Sequence, residues 1–75
     1  MEITIKLFAY FRDGRFKEAA SRFFDEGTTP RKVITSLGID SDDVGVIMVN
    51  NRHADPDSCL QQDDVLAVFP KIGGG

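Results

Sequence analysis

The chain has 75 residues, of which 41% are hydrophobic, and its net charge at neutral pH is −3. This length allows one small domain with little room for an enclosed catalytic pocket, and the apolar content is too high for a disordered chain. The negative charge disfavours nucleic acid as a partner, because phosphate binding relies on clustered Lys and Arg.

The single cysteine, Cys59, excludes an internal disulfide and a multi-cysteine zinc site, and it fits a reducing compartment. No apolar run is long enough for a membrane span, and residues 1–4 lack the basic start of a signal peptide. We therefore expect a cytoplasmic protein that does not contact a membrane.

The first predicted element is a strand over residues 3–9, in which Ile3, Ile5 and Leu7 alternate with polar residues. A period of two is typical of a half-buried strand. A turn follows, with Gly14 free to adopt positive φ. A second strand is predicted near residues 20–25 and would form an antiparallel hairpin with the first, although residues 16–21 also fit a helical turn.

A short helix is predicted next. Thr29 can cap it through its hydroxyl, and Pro30 suits the first helical position because the N–H it lacks would be unpaired there. Apolar residues then fall at helical spacing over residues 33–37, which predicts one face packed on a sheet. Gly38 can end the helix in the left-handed conformation, and Ile39 can fold back on the last turn.

The second half of the chain predicts two more strands, at residues 46–49 and 65–69, with a short strand between them. Asn50-Asn51 suits a tight turn after the first of them, because Asn tolerates positive φ. The acidic residues 40–43 form an exposed loop that lacks the spacing of a calcium site, so we expect no bound metal. Cys59 is predicted to be a small buried hydrophobe, with a reactive thiol as the other interpretation.

Strands with one helix on one face indicate an α+β architecture. The unbroken apolar run of the last strand indicates a central position, beside the equally apolar first strand.

The chain finishes with a glycine-rich arm. Pro70 stops the last strand, and Lys71 to Gly75 follow, with three glycines together. We expect a folded domain over residues 1–70 and a flexible reactive tail over residues 71–75. A frayed tail or a linker is the alternative, since glycine runs are commonly disordered.

Four segments in this order resemble the MoaD/ThiS family of ubiquitin-like sulfur carriers, and specifically the small subunits of molybdopterin synthase. They are Ile5–Arg12, Gly27–Leu37, Val46–Asn50, and Asp64–Pro70 with the terminal Gly74-Gly75. The resemblance implies a β-grasp fold with a mixed sheet of four to five strands and one main helix. It departs at Asp63, where the family usually has Gly, and at Lys71, which replaces the second of two prolines.

The resemblance also implies the chemistry. A partner adenylyltransferase of the ubiquitin-activating type would use Mg·ATP to convert the Gly75 carboxylate into an acyl-adenylate. A persulfide or sulfide would then displace AMP and leave a thiocarboxylate, the 1-thioglycine modification, on Gly75. A second enzyme, the molybdopterin synthase large subunit or an equivalent, would accept the sulfur. The carrier itself would hold no cofactor and would not be an enzyme.

Glycine is needed in such a tail because a Cβ on Gly74 or Gly75 would collide in a narrow channel close to a nucleotide. The resemblance assigns Ile72, Gly73 and Gly74 to the partner's channel. Docking is expected at the root of the tail, at Phe69, Pro70 and Lys71. From the residues alone, Phe8 and Phe69 are predicted to belong to the core, while Ile72 is better placed for contact.

Three alternatives stay open. The chain could be a ubiquitin-like modifier that forms isopeptide bonds, a carrier for thiamine or another pathway, or an interaction module with an idle tail. The Phe69-Pro70 pair favours the molybdopterin branch, because thiamine-pathway carriers generally lack it. Catalysis by the chain itself is not indicated, since His53 has no nucleophile or second ligand near it in sequence.

Overall fold

A computed structural model describes residues 1–71 of the chain. The predicted tail residues Ile72, Gly73, Gly74 and Gly75 lie outside the described residues. In chain order the elements are strand β1 (Glu2–Leu7), a 3-10 helix (Ala9–Arg12), β2 (Ala20–Phe23), helix α1 (Pro30–Ser36), a 3-10 helix (Ser41–Asp43), β3 (Val44–Val49), β4 (Arg52–His53) and β5 (Val65–Pro70).

The five strands form one sheet in the order β2-β1-β5-β3-β4. β1 and β5 run parallel, and the other neighbours are antiparallel. The last strand in the chain is therefore the central one and lies beside the first, as the sequence predicted. A mixed sheet with one main helix and this strand order is the β-grasp arrangement.

The core lies between α1 and one face of the sheet. Alternate residues of β1 and β5 point toward it, and Val33 and Ile34 of α1 pack against them with at most 1% of their surface exposed. Burying a side chain of this kind stabilises a fold by about 1.5–3 kcal/mol. The buried hydrophobic residues are Ile3, Ile5, Leu7, Phe11, Val33, Ile34, Ile39, Leu60, Leu66 and Val68.

Helix α1 begins and ends as the sequence predicted. The Thr29 hydroxyl accepts a hydrogen bond from the Lys32 amide at 3.3 Å, and Pro30 is the first helical residue. At the other end Gly38 has a φ of +76°. The Ile39 amide donates to the Ile34 carbonyl, and the Gly38 amide donates to the Thr35 carbonyl. These two bonds form the Schellman motif, which satisfies carbonyls that a helix end leaves unpaired.

The turn between β3 and β4 is stabilised by the side chain of Asn50. Asn50 and Asn51 have φ values of +53° and +67°, so both residues adopt the positive φ that Asn was predicted to tolerate. The Asn50 amide group donates to the Asp64 carboxylate at 2.9 Å, and its side-chain oxygen accepts from the Val65 amide at 3.0 Å. The side chain thus connects the end of β3 to the start of β5.

Asp63, which departs from the family pattern, adopts a φ of +69°. Only glycine reaches this region without steric cost, while Asp is among the residues that tolerate it best. The turn therefore forms with Asp63 in a conformation that glycine would adopt more easily, with some local strain.

Three local predictions were wrong. Ala9 has a φ of +53°, so β1 ends at Leu7 and the chain turns into a 3-10 helix instead of continuing to residue 9. Pro70 is the last residue of β5, whereas the strand was expected to end one residue earlier. Cys59 is exposed, because the following residue, Leu60, occupies the core and its amide donates to the Thr28 carbonyl at 2.9 Å.

Candidate functional site

The root of the tail lies at one end of the central strand. β5 ends at Pro70, which pairs with Val44 of β3, and the Lys71 amide then donates to the Asp43 carbonyl at 2.8 Å. The predicted docking residues Phe69, Pro70 and Lys71 are therefore together at this end of the sheet. The assignment of residues 1–70 to the domain and 71–75 to the tail stays a prediction.

The two faces of β5 differ in what covers them. Leu66 and Val68 point toward α1 and are fully buried. Val65, Ala67 and Phe69 point to the opposite face and are half-buried. Since the one α-helix of residues 1–71 packs on the other side, this second face is without a helical layer. We call it the open face.

Phe8 and Phe69 stack against each other on the open face. Their ring centroids are 4.1 Å apart and the ring planes differ by 12°. Both rings are half-buried, so the prediction that they belong to the core was wrong. Because side chains alternate along β1 and β5, these two residues lie on the face opposite to the buried residues. A period of two in the sequence does not show which of the two faces the helix covers.

The stacked rings form one wall of an open apolar depression at the tail root, with a volume of ≈ 850 Å³. We call this apolar depression the tail-root groove. It is lined by Phe8, Ala9, Tyr10, Gly45, Val46, Met48, Phe69, Pro70 and Lys71. Tyr10 is 50% exposed. An exposed apolar surface beside a strand end is typical of a protein interaction site.

Arg12 holds the turn that presents one side of the groove. Its Nε donates to the Leu7 carbonyl at 2.8 Å, and its guanidinium carbon lies 5.5 Å from the centroid of the Phe8 ring. This bond stabilises the turn in which Ala9 takes positive φ, a conformation that is strained for Ala. Arg12 was not among the predicted site residues. The sequence signal for it was its position after the first strand in the segment that resembles the family.

The surroundings of the groove are basic although the chain is acidic overall. Lys71 lines the groove itself, and a neighbouring depression next to Phe8 is lined by Lys6, Arg12, Lys17 and Glu18 among others. Among the residues that line these two depressions, four are basic and one is acidic, in a chain of net charge −3. A partner with acidic residues around an apolar patch would match this side of the molecule.

An ion pair lies apart from the groove, at the start of α1. The Arg31 guanidinium donates two hydrogen bonds to the Asp57 carboxylate, at 2.7 and 3.0 Å. These bonds raise the pKa of Arg31 and lower the pKa of Asp57. Both side chains are exposed, so the pair ties the loop of residues 55–58 to the helix and adds little stability.

Residues 1–71 contain no feature that indicates a metal site or a membrane-spanning helix. His53 and Cys59 are both exposed, and this part of the chain holds no group of three His, Cys, Asp or Glu residues placed to share a metal ion. Within the same residues no helix is long and apolar enough to cross a membrane. The expectation that no cofactor is bound stays a prediction.

The fold and the tail root together define a ubiquitin-like β-grasp protein. Comparison with known families goes further: the chain belongs to the ThiS family, whose model matches residues 5–75. The MoaD/ThiS proteins are small sulfur carriers and non-catalytic subunits, so the chain is a carrier-type protein and not an enzyme. The family resemblance and the fold predicted from the sequence are thereby confirmed.

Solved structures give the same fold. A Pyrococcus furiosus protein assigned as molybdopterin converting factor subunit 1 is 28% identical, with a TM-score of 0.76 over 96% of this chain and 99% of that one. Small archaeal modifier protein 1 of Haloferax volcanii is 21% identical over the whole of both chains, with a TM-score of 0.76.

A third similar structure is a complex. It contains subunits 1 and 2 of the molybdopterin-converting factor of Helicobacter pylori, and the match is 16% identical over the whole of both chains, with a TM-score of 0.65. At these sequence identities, the similarity to the H. volcanii and H. pylori structures shows only that the fold is the same. Among proteins with curated descriptions, none matches the chain.

Proposed function

We propose that this chain carries sulfur as a thiocarboxylate on Gly75 and donates it in the biosynthesis of molybdopterin. The observation that carries the proposal is the position of the tail root: the central strand ends beside an exposed apolar groove. A partner that covers this groove would also contact Lys71, the residue from which the chain continues to Ile72 and the three glycines. The Phe69-Pro70 pair and the likeness to the P. furiosus protein support the molybdopterin branch.

The chemistry needs activation, because a carboxylate repels nucleophiles and its oxygen is a poor leaving group. A Gly75 carboxylate oxygen attacks the α-phosphorus of ATP and releases pyrophosphate, which yields the acyl-adenylate. Sulfide then displaces AMP and leaves the thiocarboxylate. If a persulfide attacks instead, the product is an acyl disulfide, and a second thiol must reduce it to free the thiocarboxylate. The acids, bases and Mg²⁺ for these steps belong to the partner enzymes.

Two partners follow from this chemistry. One is an adenylyltransferase of the ubiquitin-activating type, and the other is a molybdopterin synthase large subunit; the H. pylori complex of subunits 1 and 2 supports the second. Ordering the tail in a channel costs about 1–2 kcal/mol per residue, so the docked body must offset several kcal/mol. The tail-root groove, with Phe8, Tyr10 and Phe69, is the surface that we propose for this docking. Since the thiol and sulfide chemistry needs a reducing compartment, we propose that it takes place in the cytoplasm.

A ubiquitin-like modifier is the second candidate, and the fold likeness to small archaeal modifier protein 1 supports it. Both functions begin with adenylation of the same carboxylate. They differ in the product, which is a free thiocarboxylate for a carrier and an isopeptide bond to a lysine for a modifier.

Intact-mass spectrometry separates these candidates. The chain is incubated with a matched adenylyltransferase, Mg·ATP and a sulfur donor. A carrier gains the mass difference between one sulfur and one oxygen, whereas a modifier appears in larger conjugates. The control is the same chain with one alanine added after Gly75, which we expect to remain unmodified. A wild-type chain that forms neither product with a matched activator would contradict both uses of the tail and favour an interaction module.

The sulfur acceptor is tested in a second step. The thiocarboxylated chain is mixed with a molybdopterin synthase large subunit and the precursor of molybdopterin, and in parallel with a thiazole-forming enzyme of the thiamine pathway. We expect the chain to return to its unmodified mass in the first mixture only. Sulfur transfer confined to the second mixture would reassign the chain to the thiamine branch.

A further inference from the structure

Gly45 of β3 lies unusually close to the root of the tail. A register shift between the Val44–Pro70 and Val46–Phe69 pairs leaves Gly45 in a β-bulge. A Cβ on Gly45 would stand 3.0 Å from the Pro70 carbonyl oxygen, 3.0 Å from Lys71 Cα and 3.1 Å from Lys71 N. All three contacts are with backbone atoms, which cannot rotate away as a flexible side chain can. An alanine at this position would therefore require the backbone of Pro70 and Lys71 to shift by a few tenths of an ångström.

A hydrogen bond holds the same piece of backbone from a second direction. The Lys71 amide donates to the carbonyl of Asp43, the last residue of the 3-10 helix that precedes β3, at 2.8 Å. A proline at position 71 could not make this bond, because it has no N–H. The backbone of Lys71 is thus hydrogen-bonded to Asp43 and packed directly against Gly45, at the place where a Cβ would lie. We call Gly45 and the Asp43 carbonyl the tail-root seat.

The tail-root seat is placed to affect the direction of the tail more than the docking of a partner on the groove. Bulges bend a strand and commonly lie beside functional sites. Gly45 also lines the groove that we propose for docking, but the groove is formed mainly by aromatic and apolar side chains, whereas the atoms nearest to a Cβ on Gly45 are backbone atoms of Pro70 and Lys71. Lys71 is the residue from which the chain continues into the tail, so a shift of its backbone changes where the tail starts.

We propose that Gly45 is a positioning residue, which together with the Asp43 carbonyl sets the direction in which the tail enters a partner's active site. The part of this proposal that concerns activity rests on the proposed function, while the part that concerns the seat does not. In chemical steps of this kind a misplacement of about 1 Å can reduce the rate about 100-fold, so a few tenths of an ångström are sufficient for a measurable loss.

The test compares Gly45→Ala with wild type in two measurements. The first is hydrogen exchange of the Lys71 amide by NMR, which reports the bond to Asp43. The second is adenylation by a matched adenylyltransferase, with kcat and KM for the carrier determined separately. We expect exchange to be about 10-fold faster and kcat about 10-fold lower, with KM changed less than about threefold.

Two further variants complete the design. Gly14→Ala also replaces a glycine, and at φ +70° it strains the backbone, but nothing lies within 4 Å of its new Cβ. We expect it to lower the melting temperature without changing kcat. Lys71→Pro introduces the residue that the family pattern has at this position, but in this chain its ring would replace the amide hydrogen that points at the Asp43 carbonyl, 2.8 Å from the nitrogen, so the backbone must shift. Gly45 stays intact, and we expect kcat to fall as for Gly45→Ala. This variant tests the Asp43 part of the seat even if Gly45→Ala fails to fold.

Failures of the two proposals look different. If wild type is not adenylated, the proposed function fails, and the exchange of the Lys71 amide still decides whether the seat exists. If wild type is adenylated and both Gly45→Ala and Lys71→Pro keep its kcat, the positioning role of Gly45 is wrong and the carrier function stands. An unchanged exchange rate in a folded Gly45→Ala protein would also overturn the seat.

Discussion

The side chain of Asn50 offers a test of how the end of β3 is tied to the start of the central strand. Asn50 and Asn51 are adjacent, both exposed, and both have positive φ. Asn50 makes two side-chain hydrogen bonds, one to the Asp64 carboxylate and one from the Val65 amide, and Asn51 serves as a matched control. Replacing each of them by alanine therefore separates the loss of these bonds from the strain of the turn.

The expected effects can be worked out from these contacts. Alanine in the left-handed region costs about 1 kcal/mol at either position. A net hydrogen bond contributes about 0.5–1.5 kcal/mol, and more where one partner is charged, so two exposed bonds amount to about 2 kcal/mol. We expect Asn50→Ala to lower the free energy of unfolding by about 3 kcal/mol and Asn51→Ala by about 1 kcal/mol.

Urea and thermal denaturation measure this difference. In a domain of this size 1 kcal/mol corresponds to about 4–8 °C, so the melting temperature of Asn50→Ala should lie about 10 °C below that of Asn51→Ala. The glycine pair provides a second comparison, because glycine removes the strain at both positions and leaves only the loss of bonds at Asn50. Equal stability of Asn50→Ala and Asn51→Ala would show that the two bonds contribute nothing to folding.

Three further predictions concern other parts of the molecule. Asp63→Gly relieves the positive φ of this residue and should raise the stability by about 0.5–1 kcal/mol in urea denaturation, whereas a loss would show that the turn is unstrained. Phe69→Ala removes half of the aromatic stack and should raise the KM for adenylation about 30-fold, corresponding to about 2 kcal/mol. The control is Phe23→Ala, which should leave KM unchanged because Phe23 is 79% exposed. Equal KM values for the two variants would exclude docking at the groove. Asp57→Asn should lower the melting temperature slightly near neutral pH. The pKa of Asp57 in the folded protein is lowered from 3.8, so its stabilising effect is present above that pH and is lost as the pH falls through the pKa of the folded protein. The difference in melting temperature between wild type and Asp57→Asn should therefore vanish in acid. A difference that stays constant with pH would contradict the Arg31–Asp57 ion pair.

Much of the local structure could be predicted because it depends on residues close together in the chain. Thr29 and Pro30 start the helix and Gly38 ends it, as expected from the conformations that these residue types allow. The Asn50-Asn51 turn follows from the same kind of preference. The resemblance to the sulfur carriers, carried by motifs in a fixed order, led to the correct fold and family.

The candidate site was predicted only in part. Phe69, Pro70 and Lys71 lie at the tail root, and their docking role stays a prediction. Phe8 and Phe69 were predicted to be core residues and instead stack on the open face. Alternation divides a strand into two faces without showing which of them another element covers. The roles of Arg12 and Gly45 were not predicted, since both depend on backbone groups elsewhere in the fold.

The sequence by itself determined where the helix starts and stops, which residues turn, and that the last strand is apolar enough to be central. Each of these follows from the conformational and solvation preferences of neighbouring residues. Only the tertiary structure decided the parallel pairing of β1 with β5, the open face with its tail-root groove, the exposure of Cys59, and the contact of Gly45 with Lys71. These features depend on which distant segments meet, and the one helix of the described chain can cover only one side of the sheet.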